Sequence, residues 1–222
     1  MNDHVRVLIV DDDDLMRAGL RAVLSSDASV EVVGEAVDGQ DAVGRMPRLR
    51  PDVVLMDVRM PRLDGISATR EIVEAAPDAR VLILTTFEDD DYIFGALSAG
   101  ASGFLLKRTK PEELIAAIHT VGAGEALLAP SVTRRVVDRM AQRIPVAATR
   151  AEERLDELTP RERDVLDLVA RGLSNREIAD ALVVEESTVK THVKRILTKL
   201  DVRDRVHAVI LAYETGLVRP GE

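Results

Sequence analysis

The chain has no cysteine and no tryptophan. Disulfide scaffolds, thiolate zinc sites and a catalytic thiol are therefore excluded, and a reducing compartment suits it. Long apolar runs are missing too: stretches such as Val53-Val54-Leu55-Met56 fall far below the ~20 residues of a membrane-spanning helix. The start, Met1-Asn2-Asp3-His4-Val5-Arg6, leads into an apolar strand pattern with no basic-then-apolar leader. The expectation is a soluble, cytoplasmic chain with no membrane partner. Only five residues are aromatic, Phe87, Tyr92, Phe94, Phe104 and Tyr213, too few for a platform that stacks single-stranded bases. Nor is there a basic excess. With 30 Lys and Arg against 39 Asp and Glu, the formal net charge is −9, unlike a general nucleic-acid binder, which needs a positive field.

The charge that is present is unevenly placed. Residues 1–121 hold 13 Lys and Arg against 22 Asp and Glu, whereas residues 158–222 hold 11 of each. All the excess acid lies in the first half, and a local basic face, hence duplex DNA, stays open to the second. A length of 222 residues suits two small domains better than one.

Short β-branched runs alternate with amphipathic stretches from residue 5 onward. The candidate strands are Val5–Val10, Val30–Val33, Val53–Met56, Val81–Leu84 and Gly103–Leu106; the candidate helices are Leu15–Ser25, Gln40–Arg48, Ile66–Ala75, Tyr92–Ala99 and Pro111–Val121. Five βα units with apolar strands predict a parallel sheet covered on both faces, an α/β, flavodoxin-like fold over residues 1–121. Residues 122–157 lose the strand signal: Arg134–Ala141 has a helical pattern, and Arg143–Arg154 reads as a connector. Residues 158–222 show helical pattern alone, broken at Gly172, near Val183–Glu185 and at Asp201–Arg203. Thr159-Pro160-Arg161-Glu162 and Ser174-Asn175-Arg176-Glu177 both read as capped helix starts. The prediction is a small all-α unit of four helices containing a helix-turn-helix.

In a doubly wound sheet, ligands bind beyond the carboxyl ends of the strands. Asp11 and Asp12 follow the first strand, Asp57 the third, Thr85 the fourth and Lys107 the fifth, so one cleft gathers three carboxylates, a hydroxyl and an ammonium. Clustered carboxylates repel and call for a cation; Mg²⁺, which takes carboxylate, water and phosphate oxygens, answers that need. With Lys107 as a fixed positive charge, the set suits a carboxylate nucleophile in phosphoryl transfer. Each residue also has a plainer reading. The run Asp11–Asp14 can be a solvated turn, Thr85 a strand residue, Phe104 a core ring and Lys107 an edge charge. Their shared location favours the site.

These residues resemble the receiver domain of bacterial two-component response regulators. The resemblance rests on Val10-Asp11-Asp12, Asp57 followed by Met60-Pro61 and Asp64-Gly65, Leu84-Thr85-Thr86, and Gly103-Phe104-Leu105-Leu106-Lys107. It implies that Asp57 accepts phosphate from a cognate sensor histidine kinase, and that Asp11, Asp12 and Asp57 hold Mg²⁺ with the main-chain carbonyl of Arg59. It also implies that Thr85 and Phe104 form a switch, the threonine moving toward the phosphate as the ring turns inward. Asp13-Asp14 stands where relatives often have His or another non-acidic residue, and Arg108 where Pro or Asp is common.

In the second domain, Ser187–Leu200 carries four Lys or Arg, one His and no acid. Val189, Val193, Ile196, Leu197 and Leu200 form its apolar stripe, which turns Lys190, Thr191, Lys194 and Arg195 to other faces. The first three suit base edges in a major groove. Arg176, Lys199 and Arg203 suit backbone phosphates, and His192 has no second ligand spaced to make a metal site. Residues 158–217 resemble the LuxR-type helix-turn-helix through Leu158-Thr159-Pro160-Arg161-Glu162, Gly172–Ala179 and Thr188-Val189-Lys190-Thr191-His192-Val193, with Glu185 where a Ser cap is common. Together the two resemblances imply a NarL/FixJ-type regulator: not an enzyme with a separate substrate, but a protein that reads a double-stranded DNA operator, with Thr188 among its contacts, and forms a homodimer when phosphorylated or DNA-bound. Two rivals remain at this point. One is a phosphatase of the haloacid-dehalogenase type, using Asp11, Asp13, Thr85 and Lys107; the other is a phosphorylated regulator that acts through protein contacts.

Overall fold

The computed structural model describes residues 4–86, 90–124 and 155–218. The chain divides into two compact units. In the first, the order is β1 (Val5–Val10), α1 (Asp14–Leu24), β2 (Val30–Ala36), α2 (Gly39–Leu49), β3 (Val53–Met56), α3 (Gly65–Ala75), β4 (Arg80–Thr85), α4 (Asp90–Ser98), β5 (Gly103–Leu106) and α5 (Pro111–Gly122). The strands lie in the order β2-β1-β3-β4-β5, all parallel. This is the expected flavodoxin-like arrangement, and β1 and β3 sit side by side at its switch point.

Two strands run longer than their β-branched cores predict. The second continues through Gly34-Glu35-Ala36, with an irregularity in its pairing between Val7 and Leu8. Arg17 and Arg21 pair with Glu35 there, a tertiary reason for extension that propensity does not carry. The fourth strand begins at Arg80 and ends on Thr85 itself. Alternation then divides the core. Val7, Ile9, Val53, Leu55, Leu82 and Leu84 pack with Leu20 and Leu24 of α1 and with Leu114, Ala117, Ile118 and Val121 of α5. Each fully buried aliphatic side chain contributes roughly 1.5–3 kcal/mol.

Aspartates start the first three helices. Asp13 accepts from the Met16 amide, Asp38 from the Asp41 amide, and Asp64 from the Ile66 and Ser67 amides, contacts worth about 1 kcal/mol each. Part of the acidic excess is thus structural, and Asp13 in the four-acid run is a helix cap.

The second unit contains α6 (Pro160–Ala170), α7 (Asn175–Leu182), α8 (Glu186–Lys199) and α9 (Arg205–Glu214). Both predicted starts are reciprocal capping boxes, Thr159 with Glu162 and Ser174 with Glu177. Val165, Leu166, Val169, Ile178, Val189, Ile196, Leu200, Val209 and Ala212 form the core. The α7–α8 turn is unusual: Val183 has φ 54 and is 90% exposed, a left-handed conformation that costs a non-glycine residue about 1–2 kcal/mol. The predicted Arg134–Ala141 helix and the Arg143–Arg154 connector lie outside the described residues. Among the described residues, no helix is long and apolar enough to cross a membrane.

Candidate functional site

Three strand ends build the first site. Asp11 follows β1, Asp57 follows β3 with its amide donating to the Val10 carbonyl at 2.9 Å, and Lys107 follows β5. The Lys107 ammonium spans the two acids, with Nζ 2.6 Å from Asp11 Oδ2 and 3.2 Å from Asp57 Oδ2. Both acids are buried, Asp11 at 1% and Asp57 at 7% exposure, whereas Asp12 is exposed. Carboxylate oxygens of Asp11, Asp12 and Asp57 come within 4.8 Å of one another. Burial raises the Asp57 pKa; the Lys107 charge opposes that rise and the Asp11 charge adds to it. Burial pushes Lys107 down, but its bonds and charge interactions with Asp11 and Asp57 outweigh this, and its pKa is raised. The cluster holds its ammonium firmly.

The remaining predicted residues fall around this centre. Thr85 ends β4 fully buried, and its carbonyl accepts from the Lys107 amide at 2.8 Å. Phe104 is 2% exposed, so its ring lies in the interior. Arg59 is exposed and lines an open groove of about 410 Å³ with Val58, Met60, Asp64, Ile66 and Tyr92. At Gly65 a Cβ would stand 1.9 Å from the Asp57 carbonyl oxygen, so only glycine lets α3 begin this close to Asp57. The amide of Gly65 also donates to the Val58 carbonyl at 2.9 Å.

Arg17 escapes a reading by motif. It is 8% exposed; its Nη1 donates to the Asp11 carbonyl at 2.7 Å, and it also pairs with Asp14 and Glu35. The guanidinium therefore braces the turn that carries Asp11 and Asp12. The signal is available in the sequence: Arg17 precedes Leu20 and Leu24 on the buried stripe of α1, where a charge requires partners.

On α8, Val189 and Ile196 are buried, and Thr188, Lys190, Thr191, Lys194 and Arg195 are exposed, as is Arg176 on α7. Lys190 lies 3.5 Å from Glu186 one turn back. Glu185 caps the helix without a side-chain hydrogen bond. Two of the predicted phosphate contacts are placed differently. The Lys199 ammonium turns inward onto Glu162 at 2.6 Å, and the Arg203 side chain, 17% exposed, lies along Asp204 at 3.7 Å. Internal carboxylates attract both cations. His192 is partly buried and belongs to no candidate metal group among the described residues.

Residues 7–119 match the response regulator receiver domain, and residues 156–212 match the luxR family of bacterial regulatory proteins. The chain belongs to the response regulators with a receiver and a LuxR-type helix-turn-helix, a class with a DNA-binding output rather than substrate turnover. It is 43% identical to the uncharacterized transcriptional regulatory protein YxjL of Bacillus subtilis, over 98% of this chain and 99% of that protein. It is 39% identical to the response regulator VraR of Staphylococcus aureus, over 97% and 99%. Among solved structures, the response regulator ChrA of a heme-sensing two-component system is 36% identical, with a TM-score of 0.53 over 97% of this chain and 100% of that one. An RcsB response regulator solved as a complex with DNA is 26% identical, with a TM-score of 0.55 over 95% and 98%. Membership excludes the phosphatase alternative, and the use of Asp13 as a cap removes one of the acids it required.

Proposed function

We propose that Asp57 of this cytoplasmic chain accepts a phosphoryl group from the phosphohistidine of a cognate sensor histidine kinase, and that the phosphorylated chain binds a specific DNA operator through α8. The observation that carries this reading is the Lys107 ammonium bridging two buried acids at the sheet's carboxyl edge. An Asp57 carboxylate oxygen attacks phosphorus as the P–N bond to the kinase imidazole breaks; that imidazole, already protonated on its other ring nitrogen, keeps the bonding pair and leaves neutral. Lys107 compensates charge throughout, and the Thr85 hydroxyl donates to the new phosphate, drawing the threonine toward the site with Phe104 packed behind it. The oxygen donors of Asp11, Asp12 and Asp57 fit a hard divalent cation, since three carboxylates outweigh one ammonium. We assign Mg²⁺ to these residues and the Arg59 carbonyl; when bound, the ion offsets charge on the transferred oxygens.

Downstream, Lys190, Thr191 and Lys194 take base edges, while Arg176, Thr188 and Arg195 take phosphates. A phosphorylated homodimer would span half-sites ~10 bp apart or a multiple of that. Phosphorylation shifts the population toward this state only by as much as it favours it.

Incubation with acetyl phosphate and Mg²⁺ is expected to give an acid-labile aspartyl phosphate in the wild type, and none in Asp57→Asn or with EDTA. Persistent labelling of Asp57→Asn would refute the acceptor. In a gel-shift titration, replacing Lys190 and Lys194 by Ala is expected to weaken operator binding at least tenfold and to flatten its salt dependence. Unchanged binding would overturn the assignment of α8.

A further inference from the structure

Lys199 is the last residue of α8, and its charge faces inward. Its ammonium lies 2.6 Å from Glu162 Oε2 and donates to the Glu157 carbonyl at 3.1 Å. The same carboxylate oxygen accepts from the Thr159 amide at 2.9 Å and the Thr159 hydroxyl at 3.0 Å. One oxygen thus gathers the cap of α6 and the far end of α8. The Glu162 side chain is 4% exposed, so a lysine that left it for a DNA phosphate would strip a buried carboxylate of its cation. Arg195, one turn earlier, is exposed and has no such commitment to a buried carboxylate among the described ion pairs.

We infer that Lys199 is a positioning residue, which sets the angle of the reading helix through Glu162, and is not a phosphate contact. The inference rests on the reading of α8 as the DNA-binding element. Its leverage is geometric. Lys190 lies nine residues from Lys199, roughly 13 Å along the axis at ~1.5 Å per residue, so a tilt of about 5° about the far end displaces it by ~1 Å. Hydrogen bonds to base edges do not survive a displacement of that size unweakened.

The test uses the full chain, phosphorylated with acetyl phosphate and Mg²⁺ in every variant, and a duplex enriched by the phosphorylated wild type from a random-sequence library. Dissociation constants per active molecule are measured from about 50 to 200 mM salt for Lys199→Met, Glu162→Gln, the double variant and Lys199→Arg. The expectation is a five- to tenfold loss in each of the first two at every salt concentration, with the wild-type salt slope. The double variant should bind no worse than the weaker single one, and Lys199→Arg should recover most of the loss. A role in stability alone would lower the melting temperature or the active fraction and leave these constants unmoved, which would overturn the inference. So would a salt slope shallower by about 0.9 in Lys199→Met, the mark of one lost phosphate contact. If the wild type enriches no duplex, the reading of α8 falls and this inference with it; enrichment with unaltered Lys199→Met binding removes this inference alone.

Discussion

Asp57 depends on a residue that has no side chain. Because a Cβ at position 65 would stand 1.9 Å from the Asp57 carbonyl oxygen, Gly65→Ala must push α3 and Asp57 apart. The expected result is a loss of roughly 1–3 kcal/mol in stability and a slower rate of aspartyl phosphate formation, read by denaturant unfolding and by acetyl phosphate labelling. Wild-type values in both assays would show that the two backbones are not in contact as described. Position 17 teaches a related lesson. A lone arginine on an apolar stripe looks like noise, yet Arg17 holds the Asp11 carbonyl at 2.7 Å and so fixes a loop of acids.

Helix ends carry much of the chemistry of the second unit. Lys199 is the chief cause of a Glu162 pKa of about 2, against an ordinary 4.5; burial opposes the shift, and the Thr159 amide and hydroxyl support it. Because the folded value is depressed, the stabilisation is complete above about pH 4.5 and disappears as the pH falls through about 2. Thermal unfolding followed from roughly pH 5 down to 2 should therefore show a loss of stability in the wild type that is shallower in Glu162→Gln. Equal slopes would mean that Glu162 is not the group being titrated. Nothing in the motif Thr159–Glu162 announces this second partner. The capping box is visible as a four-residue pattern, whereas Lys199 is 37 positions away and meets it only once α6 and α8 pack.

At the level of the whole chain, the architecture was legible because parallel strands buried on both faces read as apolar runs, and the acids of the site fell just beyond them. Lengths were less legible: β2 is extended by the pairing of Glu35 with Arg17 and Arg21, which no local window contains. The same limit explains Lys199 and Arg203. Their charge suited phosphate, but long side chains pair with whatever lies within reach, and the packed fold brings Glu162 to Lys199 while Asp204 lies beside Arg203. Asp13, which the phosphatase alternative used, serves as a cap, because a short carboxylate before a helix finds amides before it finds ions.

The spanning of Asp11 and Asp57 by Lys107 has a consequence for synthesis. The strands that deliver the two acids leave the ribosome well before the one that delivers the base, and the base comes last. A nascent chain that has made only its first three strands lacks the ammonium that spans the two acids in the finished fold. The bridged pair of acids is therefore complete only once the fifth strand has docked.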